Sequence, residues 1–526
     1  MMLLRGGRVL DGTGADRGTC DVLLDGERIA ALGPDLAAGE GTEVVDVAGR
    51  YVLPGFIDVH AHDDLAVLDP AGCLPKLRQG VTTVVVGNCG HGPAPTAGGV
   101  LADYSAPVIG RAPGRVFATF GDYLDAVAAA PRTTNVAALV PHGPLRAAVM
   151  GAGARAASAG EVDGMAGLLS DALAAGGAGL SLGLMYAPGN AAAPDELGAL
   201  AEVVARHGRL LVAHVRNEAG QLLDSLREVC DVAQRAGCGL QISHLKVTGP
   251  EAAGSMPRAL ELLGSYRAAG LDVTADVYPY TAGSTTAATL FPPSALADGL
   301  TSLLGALRDR TSRAALLAEL DRPWPRVENY LRCLGPDRIL LAGFTAQASA
   351  RYEGAPLAAI AGDRGQEPGE CLADLLLEEN GLLTAVLFQT DPGGVEQAMR
   401  WPYTMIGTDG LPGGSGYVHP RLYGTFPRVL ESYTGDGRPW DPATAAHRIA
   451  GLPARRFGLA DRGELRPGAV ADLVVLDPGR WHDRATFEDP RNSPDGLELV
   501  VMGGRVVLGR HGEVTGEPAG RLLRRR

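Results

Sequence analysis

The sequence predicts an α/β protein: a (β/α)8 TIM-like barrel, a flanking β-sandwich built from both chain ends, and a small helical insertion between the seventh and eighth barrel strands. Three observations predict this. Apolar strand-like runs alternate with Ala/Leu-rich helical stretches through the middle of the chain. Both ends carry short strand-like runs joined by tight turns. A gap of roughly 120 residues separates the last two barrel runs, far more than an ordinary strand-to-helix connection needs.

At the N-terminal end Arg8-Val9-Leu10 leads into Asp11-Gly12. Asp21-Val22-Leu23-Leu24 leads into Asp25-Gly26 before Arg28-Ile29-Ala30, a strong hairpin signal, and 43–47 adds a further strand. Pro54-Gly55 then punctuates the chain. Eight buried-strand candidates follow, at 56–62, 82–87, 136–142, 179–186, 209–215, 239–246, 273–280 and 404–410. Helical stretches such as 161–174, 195–207 and 221–236 lie between them. Near-continuous apolar strands alternating with helices imply a parallel sheet covered on both faces, and eight units imply closure.

The long gap opens with Ser284-Thr285-Thr286 and carries Phe291-Pro292-Pro293 and Trp324-Pro325. A structureless loop of that length is disfavoured, so it reads as a helical lid subdomain over 284–345. Beyond residue 450 a turn at 463–468 precedes the buried strand of 469–477, and Leu499-Val500-Val501-Met502, Gly503-Gly504 and Arg505-Val506-Val507-Leu508 form a hairpin. The expected boundaries are therefore 1–55 with 451–526 for the sandwich and 56–450 for the barrel, including the insertion. The Arg-rich tail, 521–526, reads as solvated.

Hydrophobic content of 46% and charged content of 20% are ordinary for a globular protein. A net charge of -13 argues against nucleic acid or an anionic membrane as main partner and says little about a small substrate, whose pocket can be locally basic. Seven cysteines, an odd number with no CxxC pair, fit a reducing compartment. No basic, apolar leader is read at Met1-Met2-Leu3-Leu4-Arg5, and no apolar run reaches the ~18 residues of a membrane span. A cytoplasmic protein is expected; its oligomeric state stays open.

The chemistry falls at the strand ends, where barrel enzymes place it. The first run ends in His60-Ala61-His62, and two residues two apart on an extended strand share a face. Two imidazoles so placed can share a metal, at about 2.0–2.1 Å each for zinc. Gly87-Asn88-Cys89-Gly90 follows the second run, His214 ends the fifth within 212–218, Ser243-His244-Leu245-Lys246 ends the sixth, and Gly407-Thr408-Asp409-Gly410 ends the eighth. Thiolate with imidazole favours zinc over magnesium or calcium. Asp409, facing such a site, would take a proton from water and pass it to the leaving group.

These motifs resemble the amidohydrolase superfamily and, within it, the N-acyl-D-amino-acid deacylases (D-aminoacylases). The resemblance runs over nearly the whole chain. It is carried by Pro54-Gly55-Phe56-Ile57-Asp58-Val59-His60-Ala61-His62, the Cys89 turn, Ser243-His244-Leu245-Lys246, Gly410-Leu411-Pro412, His419-Pro420-Arg421 with Gly424-Thr425-Phe426-Pro427, and Pro453-Ala454-Arg455-Arg456-Phe457-Gly458. It implies a tight zinc on Cys89, His214 and His244, and a second, weaker site on His60 and His62 with Cys89 bridging. It implies Asp409 as general base and acid, and Lys246, Tyr186, Tyr278, Ser284 and Arg421 as residues that hold the substrate. Arg421 suits a substrate carboxylate, which a planar guanidinium pairs bidentately.

The implied activity is zinc-dependent hydrolysis of an N-acyl-D-amino acid to a carboxylate and a free D-amino acid. Hydrolysis of a cyclic or dipeptide-like amide on the same scaffold, and a non-catalytic scaffold protein, are the alternatives. His91, where relatives carry an aromatic or other apolar residue, and the loop from Gly413 to Val418 depart from the family. His142, in Pro141-His142-Gly143, resembles a family His-Gly and is expected to support the site, with polarisation of the scissile carbonyl as the alternative. His207, His447, His482 and His511 are expected to face solvent.

Overall fold

The computed structural model describes every residue of the chain except 97–100, 113, 152, 413–415, 511, 516–517 and 526. The eight barrel strands are β1 (Phe56–Asp58), β2 (Val81–Val86), β3 (Asn135–Ala138, resuming at Val140–Pro141), β4 (Gly179–Gly183), β5 (Leu210–His214), β6 (Gly239–Ile242), β7 (Val273–Val277) and β8 (Thr404–Ile406). All neighbours pair in parallel. β3 keeps its pairing across the break through Leu139 N to Val86 O at 2.9 Å. The ring closes where Asp409 N donates to His60 O at 2.7 Å beside an Ala61–Gly410 bridge.

β2 shows why these residues make strands. Val81-Thr82-Thr83-Val84-Val85-Val86 is β-branched throughout and buried throughout, as a parallel strand covered on both faces requires. Its alternate residues serve two cores. Val85 joins Ile57, Val59, Leu139, Val212 and Met405 inside the barrel, while Val84 and Val86 join the layer between strands and helices.

The strands end one to four residues before the apolar runs do. His60, His62, His244 and Asp409 therefore lie on the short extensions just past the paired segments, and residue 142, expected at a strand end, begins the helix His142–Met150.

Both chain ends contribute to one eight-stranded sheet, joined where Tyr51–Pro54 runs antiparallel to Leu473–Leu476. An Arg28–Val470 bridge folds this sheet over itself, enclosing Leu4, Val22, Val52, Leu473 and Val501.

Two features differ from expectation. The insertion over the barrel mouth is not purely helical and does not stop at 345. It contains a three-stranded antiparallel sheet of Ala282–Thr286, Thr384–Phe388 and Ile339–Ala342, with helices such as Leu300–Arg308 and Pro368–Glu378 packed on it. Apolar runs as short as Ile339-Leu340-Leu341-Ala342 carry no period that separates strand from helix. The described part of the Arg-rich tail, 521–525, is docked rather than solvated. Arg521 O accepts from Val136 N at 2.8 Å, Leu523 N donates back to Val136 O at 2.7 Å, and Leu523 packs against the barrel-interior cluster. Two leucines among the arginines give the tail an apolar side that charge alone conceals. Arg526 lies outside the described residues. Among the described residues no helix is long and apolar enough to cross a membrane.

Candidate metal centre and catalytic site

Backbone constraints aim the strand-end side chains. Cys89 sits in a one-turn segment at φ +54°, a conformation an L-residue adopts only when its surroundings enforce it. Gly87 before it has φ +83°, and a Cβ there would lie 2.2 Å from Leu139 O. Gly183 at the end of β4 lets the Cys89 carbonyl approach, since a Cβ on it would fall 1.9 Å from Cys89 O. His244 (φ +34°) and Asp409 (φ +49°) also occupy the left-handed region.

These side chains converge. Cys89 Sγ lies 3.2 Å from His60 Nε2 and 3.4 Å from His244 Nε2. Asp409 Oδ1 is 3.1 Å from His62 Nε2 and 3.5 Å from His60 Nε2. The His214 ring stands edge-on to His244 with centroids 4.4 Å apart. Three overlapping donor groups result: His60, Cys89 and His244; His60, His62 and Asp409; and His214, Glu218 and His244.

The donor set fits a metal ion on an observation independent of sequence pattern. His214 is 3% exposed, yet neither of its ring nitrogens has a hydrogen-bond partner. Buried polar atoms are seldom left unpaired, and a neutral imidazole without partners is free to ligate. Burial holds His214 and His244 well below the usual histidine pKa, so both stay neutral near pH 7. Imidazole, thiolate and carboxylate donors together suit a borderline-soft divalent ion.

Two acids that the sequence alone does not single out orient the rings. Asp276 Oδ1 is 3.1 Å from His60 Nδ1 and accepts from His244 N at 2.8 Å. Glu218 is 3.1 Å from His244 Nδ1 and accepts from Lys246 Nζ at 2.7 Å. Carboxylates behind ring nitrogens fix tautomer and orientation. The available signal was thin: a lone acid inside an apolar strand for Asp276, and an acid four residues past a histidine for Glu218.

Asp409 is buried, which by itself would raise its pKa, but Arg421, His60 and His62 hold it well below the usual carboxylate range. Arg421 opens the helix Arg421–Ser432, fully buried, with Nη1 2.8 Å from Asp409 Oδ2 and Nη2 donating to Ser284 O at 3.0 Å. Its guanidinium lies over the Tyr278 ring at 4.7 Å, and the Tyr278 hydroxyl has no partner. Tyr186, Lys246, Tyr278 and Ser284 line one cavity with His62, Cys89, His214, His244 and Asp409. His60 and Arg421 do not line this cavity but stand directly behind it, against Cys89 and Asp409. His91 lines the same cavity, edge-on to Tyr186, with Nδ1 3.0 Å from Ser105 Oγ. His142 is buried behind it, its Nε2 2.8 Å from Glu196 Oε1, and Arg146 pairs with the same carboxylate. Of the histidines expected to face solvent, His482 is exposed, His207 and His447 are half-buried, and His511 lies outside the described residues.

A closed parallel barrel with nitrogen, sulfur and carboxylate donors gathered at its carboxyl-end mouth is the frame of a metal-dependent barrel enzyme. The chain belongs to the amidohydrolase family, whose profile matches residues 43–322 and 395–508. It is 36% identical to a D-aminoacylase of Alcaligenes xylosoxydans xylosoxydans, over all of this chain and 97% of that relative. Among solved structures it resembles an N-acyl-D-glutamate deacylase from Bordetella bronchiseptica, complexed with zinc and a phosphonate mimic of the tetrahedral intermediate (TM-score 0.85, 34% identity, 99% of each chain). It also resembles a D-aminoacylase described by its binuclear metal centre (TM-score 0.84, 36% identity, 100% of this chain and 99% of the other).

Proposed function

We propose that this protein is a zinc-dependent amidohydrolase that cleaves the amide bond of N-acyl-D-amino acids, giving a carboxylate and a free D-amino acid. The observation that carries this is the buried convergence of His60, His62, Cys89, His214 and His244 on an ionised Asp409. The D-configuration rests on the relatives, which act on N-acyl-D-amino acids by name.

Cys89, His214 and His244 would hold the tighter zinc, and His60 and His62 a second ion with Cys89 as bridge, a role supported by its approach to both His60 and His244. When bound, zinc polarises an amide carbonyl and lowers the pKa of water. Asp409, unprotonated at neutral pH, takes the proton of the attacking water and delivers it to the departing amide nitrogen. Arg421, Lys246 and the unpartnered Tyr278 hydroxyl hold the substrate carboxylate, and Tyr186 and Ser284 hold the rest of the substrate. All seven cysteines are free, which supports placement in the cytoplasm.

The test is a panel of N-acetyl-D- and N-acetyl-L-amino acids assayed with zinc, after chelation, and after zinc is restored. Hydrolysis confined to the D-series, lost on chelation and regained with zinc, is the expected result. Full activity in metal-free protein, or none toward any N-acyl-D-amino acid, would overturn the proposal.

A further inference from the structure

Lys76, in the short helix Leu74–Leu77, is completely buried in the barrel wall and touches neither the cavity nor a candidate ligand. Its ammonium lies 2.7 Å from Asp58 Oδ2 and 3.2 Å from Asp63 Oδ2, and it bonds the Thr408 hydroxyl. A buried ion pair is a weak source of net stability, because desolvation offsets most of its attraction. What sets this one apart is where its hydrogen bonds end.

Asp58 and Asp63 flank the His60–His62 pair in sequence. Asp58 Oδ1 accepts from His60 N at 3.2 Å and from Thr408 N at 2.8 Å, tying β1 to the end of β8. Thr408 Oγ1 donates to Asp58 Oδ2 at 2.7 Å and accepts from Gly410 N at 3.1 Å. The backbone on both sides of Asp409 is therefore fastened to the ion pair, while Asp409 itself holds φ +49°. A non-glycine residue is strained in that region and persists there only where its neighbours fix it.

We propose that Lys76, acting through Asp58 and Thr408, is a positioning residue that holds His60, His62 and Asp409 in mutual register for hydrolysis. The proposal rests on the function given above.

The test is Thr408→Val, which keeps the side-chain shape but removes the hydroxyl that links Lys76, Asp58 and Gly410, with Thr408→Ser as the conservative rescue. The measurements are kcat and KM on an N-acetyl-D-amino acid, bound zinc, and melting temperature. A displacement near 1 Å can cost about a hundredfold in rate, so kcat should fall about 10- to 100-fold. KM and zinc content should stay within about twofold of wild type, and T408S should recover kcat to within about threefold. Lys76→Met, assayed as folded zinc-loaded protein, should show the same kcat-selective loss. If T408V does not fold, K76M decides alone, and the reverse holds if K76M does not. A folded variant with wild-type kcat and a lowered melting temperature would show a purely structural pair and overturn the proposal, as would parallel loss of zinc and activity. Failure of the parent function is seen separately, in wild-type protein that hydrolyses no N-acyl-D-amino acid.

Discussion

Replacing Asp409 by asparagine separates the proposed proton transfer from everything else this residue does. The change keeps volume and an accepting oxygen but removes both the charge and the basic lone pair. General acid–base catalysis contributes about 10²–10⁴ in rate, so kcat should drop by that factor, equivalent to roughly 2.7–5.4 kcal/mol of barrier. The substitution also leaves the Arg421 guanidinium, completely buried and 2.8 Å from Asp409 Oδ2, without its counter-charge. Breaking a buried pair costs about 3–5 kcal/mol, and the amide oxygen that still faces Arg421 puts the cost near about 3 kcal/mol. D409N should therefore be less stable, far slower and still metal-bound. Initial rates against substrate concentration, metal analysis and thermal melts read the three effects independently. A kcat within about threefold of wild type would remove the proton-transfer role, because among the described residues Asp409 is the one carboxylate that lines the cavity. Loss of zinc in step with activity would instead make Asp409 chiefly a ligand, as its grouping with His60 and His62 permits.

Two further predictions address metal and pH. His214→Ala should lose more bound zinc than His60→Ala, because His214 is assigned to the tighter ion and its ring nitrogens have no hydrogen-bond partner; equal retention would reverse the assignment. Glu328, buried in the insertion with Oε2 accepting from Glu218 N at 3.4 Å, is pushed up to about 8 by burial and by Glu218. The native state thus keeps a proton that the unfolded chain releases near pH 4.5, so stability should fall as pH rises from there to about 8, by at most about 1.4 kcal/mol per unit. Denaturant melts of chelated protein should show Glu328→Gln losing less stability than wild type over that window, and identical slopes would refute the shift.

The barrel was legible because its information is local and redundant. Each strand is a short apolar run, and the alternation repeats, so a boundary error of a few residues does not change the topology. The histidines, Cys89 and Asp409 were legible because a strand end is a place the pattern itself marks. Asp276 and Glu218 were not, since each is a single acid whose partner comes from another strand: His60 for Asp276, His244 for Glu218. The sheet of the insertion was hidden for a related reason. Ala282–Thr286 pairs with a segment about a hundred residues on, and neither partner carries a periodic signal. The tail misled in the opposite direction, because three arginines within 521–525 outweighed Leu522 and Leu523, which bind it to the barrel.

Backbone strain links the two halves of this fold's behaviour. Among the described residues seven non-glycine positions have positive φ, and three of them are Cys89, His244 and Asp409. Each stands just past a strand end, where the barrel ceases to dictate direction and the chain must turn to bring a side chain toward the axis. Each is held by contacts from other segments: the Cys89 turn by the close approach of Gly183, His244 N by Asp276, and Asp409 N by His60 O. Strain of this kind is retained only where surrounding structure over-determines it, so the rigid strands supply what the loops need to keep strained residues in place. Donors fixed in this way before a metal or substrate arrives lose little freedom on binding, which is the preorganisation that electrostatic catalysis draws on.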